Sequence, residues 1–265
     1  MMNGNILGRV VCLTMAALWV FTSAPLHGQP RNTQPEAIFF RATISTPGSY
    51  ILGTDLAVNL SGGAGITITA SGVTLDLNGH EIKGPGGKVG TGIMINGAHG
   101  MKVTNGNLSN LAFGIVVNNS NNVVLRDLQV RGQGLPIVAL PPETGIMIVQ
   151  SKNVVVEDNA IYNTGLGVFV RGGGSWGNRI AGNTITANTN GALGICYNPA
   201  GSGSEGPRGD LVSGNLISGF PTGISISEGS RANIFRGNTI AFVNAAIDDL
   251  NGTNDVTENV SIQLP

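Results

Sequence analysis

The sequence is poor in charge, in cysteine, in histidine and in long apolar runs, and each shortage closes off a class of function. Charged residues fill only 11% of the 265 positions and the formal net charge is -1. No basic footprint points to nucleic acid and no acidic block to a disordered tail. Two cysteines and three histidines leave little for a disulfide framework or a soft-metal site. Helical classes are disfavoured as well, because 41 Gly and 28 Asn occupy about a quarter of the chain with residue types that weaken helices. These glycines keep no three-residue collagen period, and the hydrophobic fraction of 41% is enough for a core. What the chain has in plenty is Gly and Asn at fixed places.

The first segment reads as an address. Met1 to Arg9 carries a single charged side chain, Arg9, and is followed by the apolar run Val10 to Phe21 and by the small residues Thr22, Ser23 and Ala24. That is the order of a secretory signal peptide, here 1–28 with cleavage expected between 24 and 30. The run is shorter than the ~20 residues of a bilayer span and no later stretch is longer, so no membrane span is expected after cleavage. Cys12 leaves with the signal; Cys196 then stands alone and no internal disulfide can form. The chain is expected to be secreted or periplasmic.

A repeat of about 25 residues fills the remainder. Gly followed by alternating apolar residues recurs as GITI from Gly65, GIMI from Gly92, GIVV from Gly114, GIMI from Gly145, GVFV from Gly167, GICY from Gly194 and GISI from Gly223, with AIDD from Ala246 as a decayed eighth copy. A second series sets an apolar residue three positions before Asn: Val156 and Asn159, Ile180 and Asn183, Val212 and Asn215, Phe235 and Asn238, Val256 and Asn259. Period-two alternation means short strands, bounded by Gly and Asn where the chain bends. One copy cannot bury its own apolar side. Copies stacked ~4.8 Å apart form parallel sheets around a shared interior, so the fold class is all-β, a single-stranded right-handed parallel β-helix of about eight turns. Residues 29–60 are assigned to an N-terminal segment and cap, in which YILGTDLAV reads as the entering strand, and 61–265 to the solenoid. The Asn column is expected to serve twice, as a left-handed corner and as a hydrogen-bonded amide ladder.

The stretch GITITASGVTLDLNGHEI, Gly65 to Ile82, closely resembles the first turns of bacterial secreted right-handed parallel β-helix repeat proteins of the pectate-lyase-like superfamily, and the later G-[IV]-x-[IV] and G-N-x-I copies are similar to its generic repeat. The resemblance implies the fold over about residues 44 to 262. For function it implies a wide choice: polysaccharide lyases, glycoside hydrolases, uronate epimerases, phage depolymerases and periplasmic proteins called copper-binding. Fold alone does not choose among them.

In the GIxI strands the third position faces outward: Thr67, Met94, Val116, Met147, Phe169, Cys196, Ser225 and Asp248. Five consecutive members are apolar, which marks either a covered surface or a binding surface. Two long turns, Gln133 to Thr144 and Asn198 to Asp210, enter and leave this sheet and are placed to wall a groove over Met147, Phe169 and Cys196. Arg171, Lys152, Glu143 and Trp176 are set at its margins, Trp176 as a ring for sugar stacking or a corner plug. Together Met147, Phe169, Arg171, Trp176, Glu143 and Lys152 are the candidate substrate-binding residues; the stripe also suits a covering segment or self-association.

No catalytic residue can be named. Hydrolases need paired carboxylates on one face and calcium-dependent lyases need clustered oxygen ligands, yet the outward column holds no acid before Asp248. Asp76 with Lys102 and Arg126 with Glu157 read as surface ladder pairs. His80, His99 and Cys196 show no convergent spacing, so neither metal nor other cofactor is expected. The working function is binding, and in its stronger form modification, of an extracellular or cell-envelope polysaccharide; lyase, epimerase or hydrolase chemistry would be the enzymatic version. A non-catalytic structural or protein-docking module is the alternative, and a metal-handling periplasmic protein the third.

Overall fold

The computed structural model describes residues 34–263 apart from 60–62, 135–141, 189–190, 202 and 251. The expected signal peptide, 1–28, lies outside the described residues, as does most of the first long turn. Every regular element among the described residues is a β-strand, and the strands pair in parallel with the strand one repeat further on. The chain is a right-handed parallel β-helix.

Three sheets run its length. Sheet 1 is built from the GIxI strands, in register from Ala42 through Ile66, Ile93, Ile115, Ile146, Val168, Ile195 and Ile224 to Ile247. That column has nine members, so the solenoid has one turn more than the motif copies announce. The added turn is Ala42–Ile44, inside the 29–60 segment read as a cap. Its neighbours Glu36–Ile38 and Gly48–Leu52 lie in sheet 2, which runs to Asp255–Thr257. Sheet 3 starts at Leu56–Ala57 and ends at Val260–Gln263. The inward positions of all three meet in one apolar core, where Ile66, Ile93, Ile115, Ile146, Val168, Ile195 and Ile224 are inaccessible to solvent.

The Gly column owes its existence to close stacking rather than to unusual backbone angles. A Cβ on Gly167 would stand 2.4 Å from the Gly194 carbonyl oxygen and 2.4 Å from Ile185 Cγ2 of sheet 3, and Gly114, Gly145 and Gly194 are equally confined. We expect Gly167→Ala to destabilise the fold by about 1–3 kcal/mol through overpacking, read as a lowered urea midpoint at unchanged m. An unchanged midpoint would contradict this account of the column.

The Asn column forms the expected ladder. Asn159, Asn183, Asn215 and Asn238 each donate through Nδ2 to Oδ1 of the next member, at 3.0, 2.9, 2.9 and 2.8 Å, ending on Asn259. The second expected role belongs to other residues: the left-handed backbone sits one position earlier, at Asp158, Gly182, Gly214, Gly237 and Glu258, with φ between 54° and 65°. Corner geometry and amide bonding are thus divided between two adjacent residues, which explains the G-N pairs. A second ladder, Asn178, Asp210, Asn233 and Asn254, fills the corner between sheets 1 and 2. Beside it a serine column continues the pattern, the Ser120 and Ser151 amides donating to the hydroxyls of Ser151 and Ser175 at 3.1 and 3.4 Å.

Candidate functional site

Sheet 1 places the outward residues as the alternation requires. Thr67, Met94, Val116, Met147, Phe169, Cys196, Ser225 and Asp248 are register partners in a single file. The file is not bare. Val116 and Cys196 are buried by their surroundings, while Met94, Met147 and Phe169 are half-buried. Burial pushes the Cys196 thiol up to about 12, which leaves it an uncharged apolar group.

Two hollows lie along this face and meet at Arg171. The first, about 390 Å³, is floored by Met147 and Phe169 and bounded by Phe113, Pro142, Leu166 and Arg171. The second, about 790 Å³, is bounded by Arg171, the Asn198–Ala200 segment, Ser204, Glu228 and Leu250. The Arg171 guanidinium donates to the Ala200 carbonyl at 2.9 Å, so it is held as a partition between an apolar chamber and a mixed, more polar one. Pro142 brings the end of the first long turn to the stripe as expected. The second long turn leans towards Ser227–Gly229 on the following turn, so Cys196 lines neither hollow.

The six candidate residues divide. Met147, Phe169 and Arg171 converge on the first hollow. Glu143 is only 1% exposed, with its carboxylate accepting from the Gln133 amide nitrogen and from Gln133 Nε2 at 2.9 Å, and it ties down the turn instead of facing the groove. Lys152 and Trp176 are register partners at the corner between sheets 1 and 2, where the ammonium lies 5.3 Å from the ring centroid; neither lines a hollow. That cation–π contact engages the two side chains with each other. Phe113 and Leu166 were missed because a motif begun at Gly omits the residue before it, and those residues form a register column of their own, Phe113, Thr144, Leu166 and Leu193.

The surface pairs need one correction. Arg126 and Glu157 are in register and bonded at 2.7 Å, but Asp76 faces Thr104 and Lys102 faces Thr74. Asp76 instead accepts from Asn105 Nδ2 at 3.0 Å and from the Asn78 amide at 2.7 Å. One offset of two residues separates the members of the pair, and along a strand that is a full alternation step.

The family model described as periplasmic copper-binding protein (NosD) matches residues 63–261, about three quarters of the chain. The chain belongs to the NosD family. No curated protein matches it. Among solved structures it is similar to an alginate lyase from Paenibacillus sp. str. FPU-7, with a TM-score of 0.61 at 17% identity over 82% of this chain and 89% of that one. It is similar also to the Dettilon tailspike protein, at 0.56 and 16% over 86% of this chain and 54% of that one. A third is the hyperthermoactive exopolygalacturonase from Thermotoga maritima, at 0.54 and 14% over 81% and 54%. The chain thus spans about half the length of the tailspike and of the exopolygalacturonase. At these identities the likeness is one of fold, the pectate-lyase-like β-helix.

Copper, which the NosD description names, requires ligands that converge. Among the described residues no three His, Cys, Asp or Glu side chains come together for a metal ion. His80 is bonded to Asp55 at 3.0 Å, His99 to Asn121 at 3.2 Å, and Cys196 is buried elsewhere in sheet 1. These residues do not fit a copper site. Nor do the hollows offer paired carboxylates: Glu228 is the one acid among the described residues that line them. What the face can do is hold a flat, partly apolar ligand over Met147 and Phe169, with a cation at its edge.

Proposed function

We propose that the protein is exported and binds an extracellular or cell-envelope polysaccharide along the outer face of sheet 1. The observation that carries this reading is the join at Arg171 between the hollow over Met147 and Phe169 and the more polar one beyond it. A pyranose presents an apolar face and a rim of hydroxyls, so a linear glycan needs alternating apolar and polar stations. Sheet 1 offers these in sequence along the solenoid axis. Two similar structures, an alginate lyase and an exopolygalacturonase, lend support at the level of fold analogy. The periplasmic description of the family and the signal-like first 28 residues support export.

The test is retention of the mature protein on a panel of uronic-acid and neutral polysaccharides, with unsaturated and reducing ends followed in the same incubations. Phe169→Ala should weaken retention by about ten-fold or more, the effect of losing one buried aromatic contact. Arg171→Ala should weaken it most for the acidic members. Absence of retention on every glycan sinks the reading, and the appearance of ends would extend it to catalysis. The half-buried apolar run of Met94, Met147 and Phe169 supports a second reading, docking or self-association. Sedimentation separates the two: Phe169→Asp would then turn a self-associated species into a monomer.

A further inference from the structure

The outer face of sheet 3 carries a polar groove that the sheet 1 reading does not use. Four successive turns bring Glu81, Asn107, Gln129 and Ala160 into one register column and Lys83, Ser109, Arg131 and Tyr162 into the next. Over them lies a hollow of about 470 Å³ lined by Asp55, Glu81, Asn107, Gln129, Arg131 and Tyr162, among others. Its residues come from segments up to 107 positions apart, so no local motif announces it.

The polar residues here behave differently from those on sheet 2. There, charges consume one another: Glu157 takes both Arg126 and Arg179 at 2.7 Å. On sheet 3, Arg131 makes no ion pair although Glu81 shares the groove, and Gln129 and Tyr162 make no side-chain hydrogen bond within the described residues. The remaining members are fixed in place with atoms to spare. The Glu81 amide and His80 Nδ1 both engage Asp55 Oδ1, at 2.9 and 3.0 Å, which leaves Oδ2 without a hydrogen bond among the described residues. Ser109 donates to Glu81 Oε1, and Asn107 Nδ2 donates to the Gly79 carbonyl at 2.9 Å, leaving Glu81 Oε2 and Asn107 Oδ1 open to the groove. Side chains held by the protein while keeping free donors and acceptors are preorganised for a polar partner.

We propose that this groove is a second, separate glycan site that takes a neutral hexopyranose. Two carboxylates and an amide oxygen suit vicinal hydroxyls as donors, Arg131 and Gln129 suit ring and hydroxyl oxygens, and Tyr162 supplies an aromatic wall. Asp55 and Glu81 against the single Arg131 give the lining a negative balance, which disfavours a uronate. Those four turns, three steps of ~4.8 Å, span ~14 Å along the axis, room for about two to three sugar rings.

Isothermal titration of the mature protein with cello-, manno- and galacto-oligosaccharides, and with oligogalacturonate as the acidic control, tests this. Glu81→Gln and Arg131→Ala change exposed or half-exposed groups, and melting curves of both should match the parent. We expect binding of at least one neutral series, weakened about ten-fold or more by each sheet 3 variant and still measurable in Phe169→Ala. The proposal is overturned if no neutral oligosaccharide binds, if the acidic series alone responds to the sheet 3 variants, or if neutral binding follows Phe169→Ala and ignores Glu81→Gln and Arg131→Ala. Failure of the sheet 1 reading leaves its own trace, a Phe169→Ala variant that retains polysaccharide as well as the parent.

Discussion

Asn183→Ala lowers the unfolding free energy by about 3–5 kcal/mol, because it strands several buried polar groups and leaves a small void in the middle of the ladder. Asn183 is 1% exposed. Its Nδ2 donates to the Val156 carbonyl at 2.9 Å and to Asn215 Oδ1 at 2.9 Å, while its Oδ1 accepts both the backbone and the side-chain nitrogen of Asn159 at 3.0 Å. Ala supplies none of these, and no solvent reaches the orphaned groups. In a solenoid each turn touches only its neighbours, so the loss should appear first as local opening around Asn159 to Asn215 in hydrogen exchange, together with a lower urea midpoint. Asn118→Ala is the matched control: its amide bonds Asn96 at 2.9 Å on the exposed face, and its removal should shift stability by no more than about 0.5 kcal/mol. Equal shifts for the two variants would mean that the ladder is an ornament of the corner and not a support.

That ladder was legible because a structural reason fixes one residue type at one position per turn. The same holds for the GIxI file, whose period of two and Gly spacing gave the register of sheet 1 residue by residue. The first turn escaped because Ala42–Ile44 has no preceding Gly and only three alternating residues. The second ladder escaped because Asp210 interrupts its Asn residues; its sign in the sequence is a polar residue two before each buried apolar one, as in Asn178 and Ile180 or Asn233 and Phe235. Columns of mixed composition are invisible to a search for one letter, though the backbone reads them as equivalent.

The candidate site was legible in part for a related reason. Sequence position tells which turn a residue occupies, and alternation tells which face, so Met147 and Phe169 could be placed together. Corners obey no alternation. Glu143 swings inward to Gln133, and Trp176 finds Lys152 one turn below, neither of which a strand pattern specifies. The groove on sheet 3 was out of reach because its residues are scattered over five turns and none has an unusual neighbourhood in the sequence.

Asp210 breaks the chemistry of its ladder, and stability should carry its signature as a dependence on pH that runs against the usual carboxylate. It is 1% exposed, and burial pushes its carboxyl up from an ordinary 3.8 to about 6. The Asn178 backbone and side-chain donors, at 2.8 and 3.1 Å, and the Tyr197 hydroxyl beside it pull the other way without cancelling the effect of burial. Tyr197 is a close neighbour but not an aligned one: its hydroxyl makes no hydrogen bond of good geometry, and burial, followed by the Asp210 charge, holds it well above the usual phenol range. Because the folded state binds the Asp210 proton more tightly than the unfolded chain, this group's contribution is complete below about pH 4, falls as pH rises, and is gone above about pH 6. The span from 3.8 to about 6 corresponds to about 3 kcal/mol. Asp210→Asn keeps an oxygen for the Asn178 donors, matches the amides of its ladder neighbours Asn178 and Asn233, and removes the charge. The variant should therefore match the parent near pH 4 and exceed it by about 2–3 kcal/mol at pH 8, as measured by urea unfolding at pH 4, 5, 6 and 8. Exposed carboxylates such as Asp55 and Glu205, held low by their hydrogen bonds, are common to both proteins and drop out of the difference. A gap between the two that stays constant across this range would show that Asp210 enters the folded state with an ordinary affinity for its proton, and that the corner tolerates a charge its neighbours are not built to solvate.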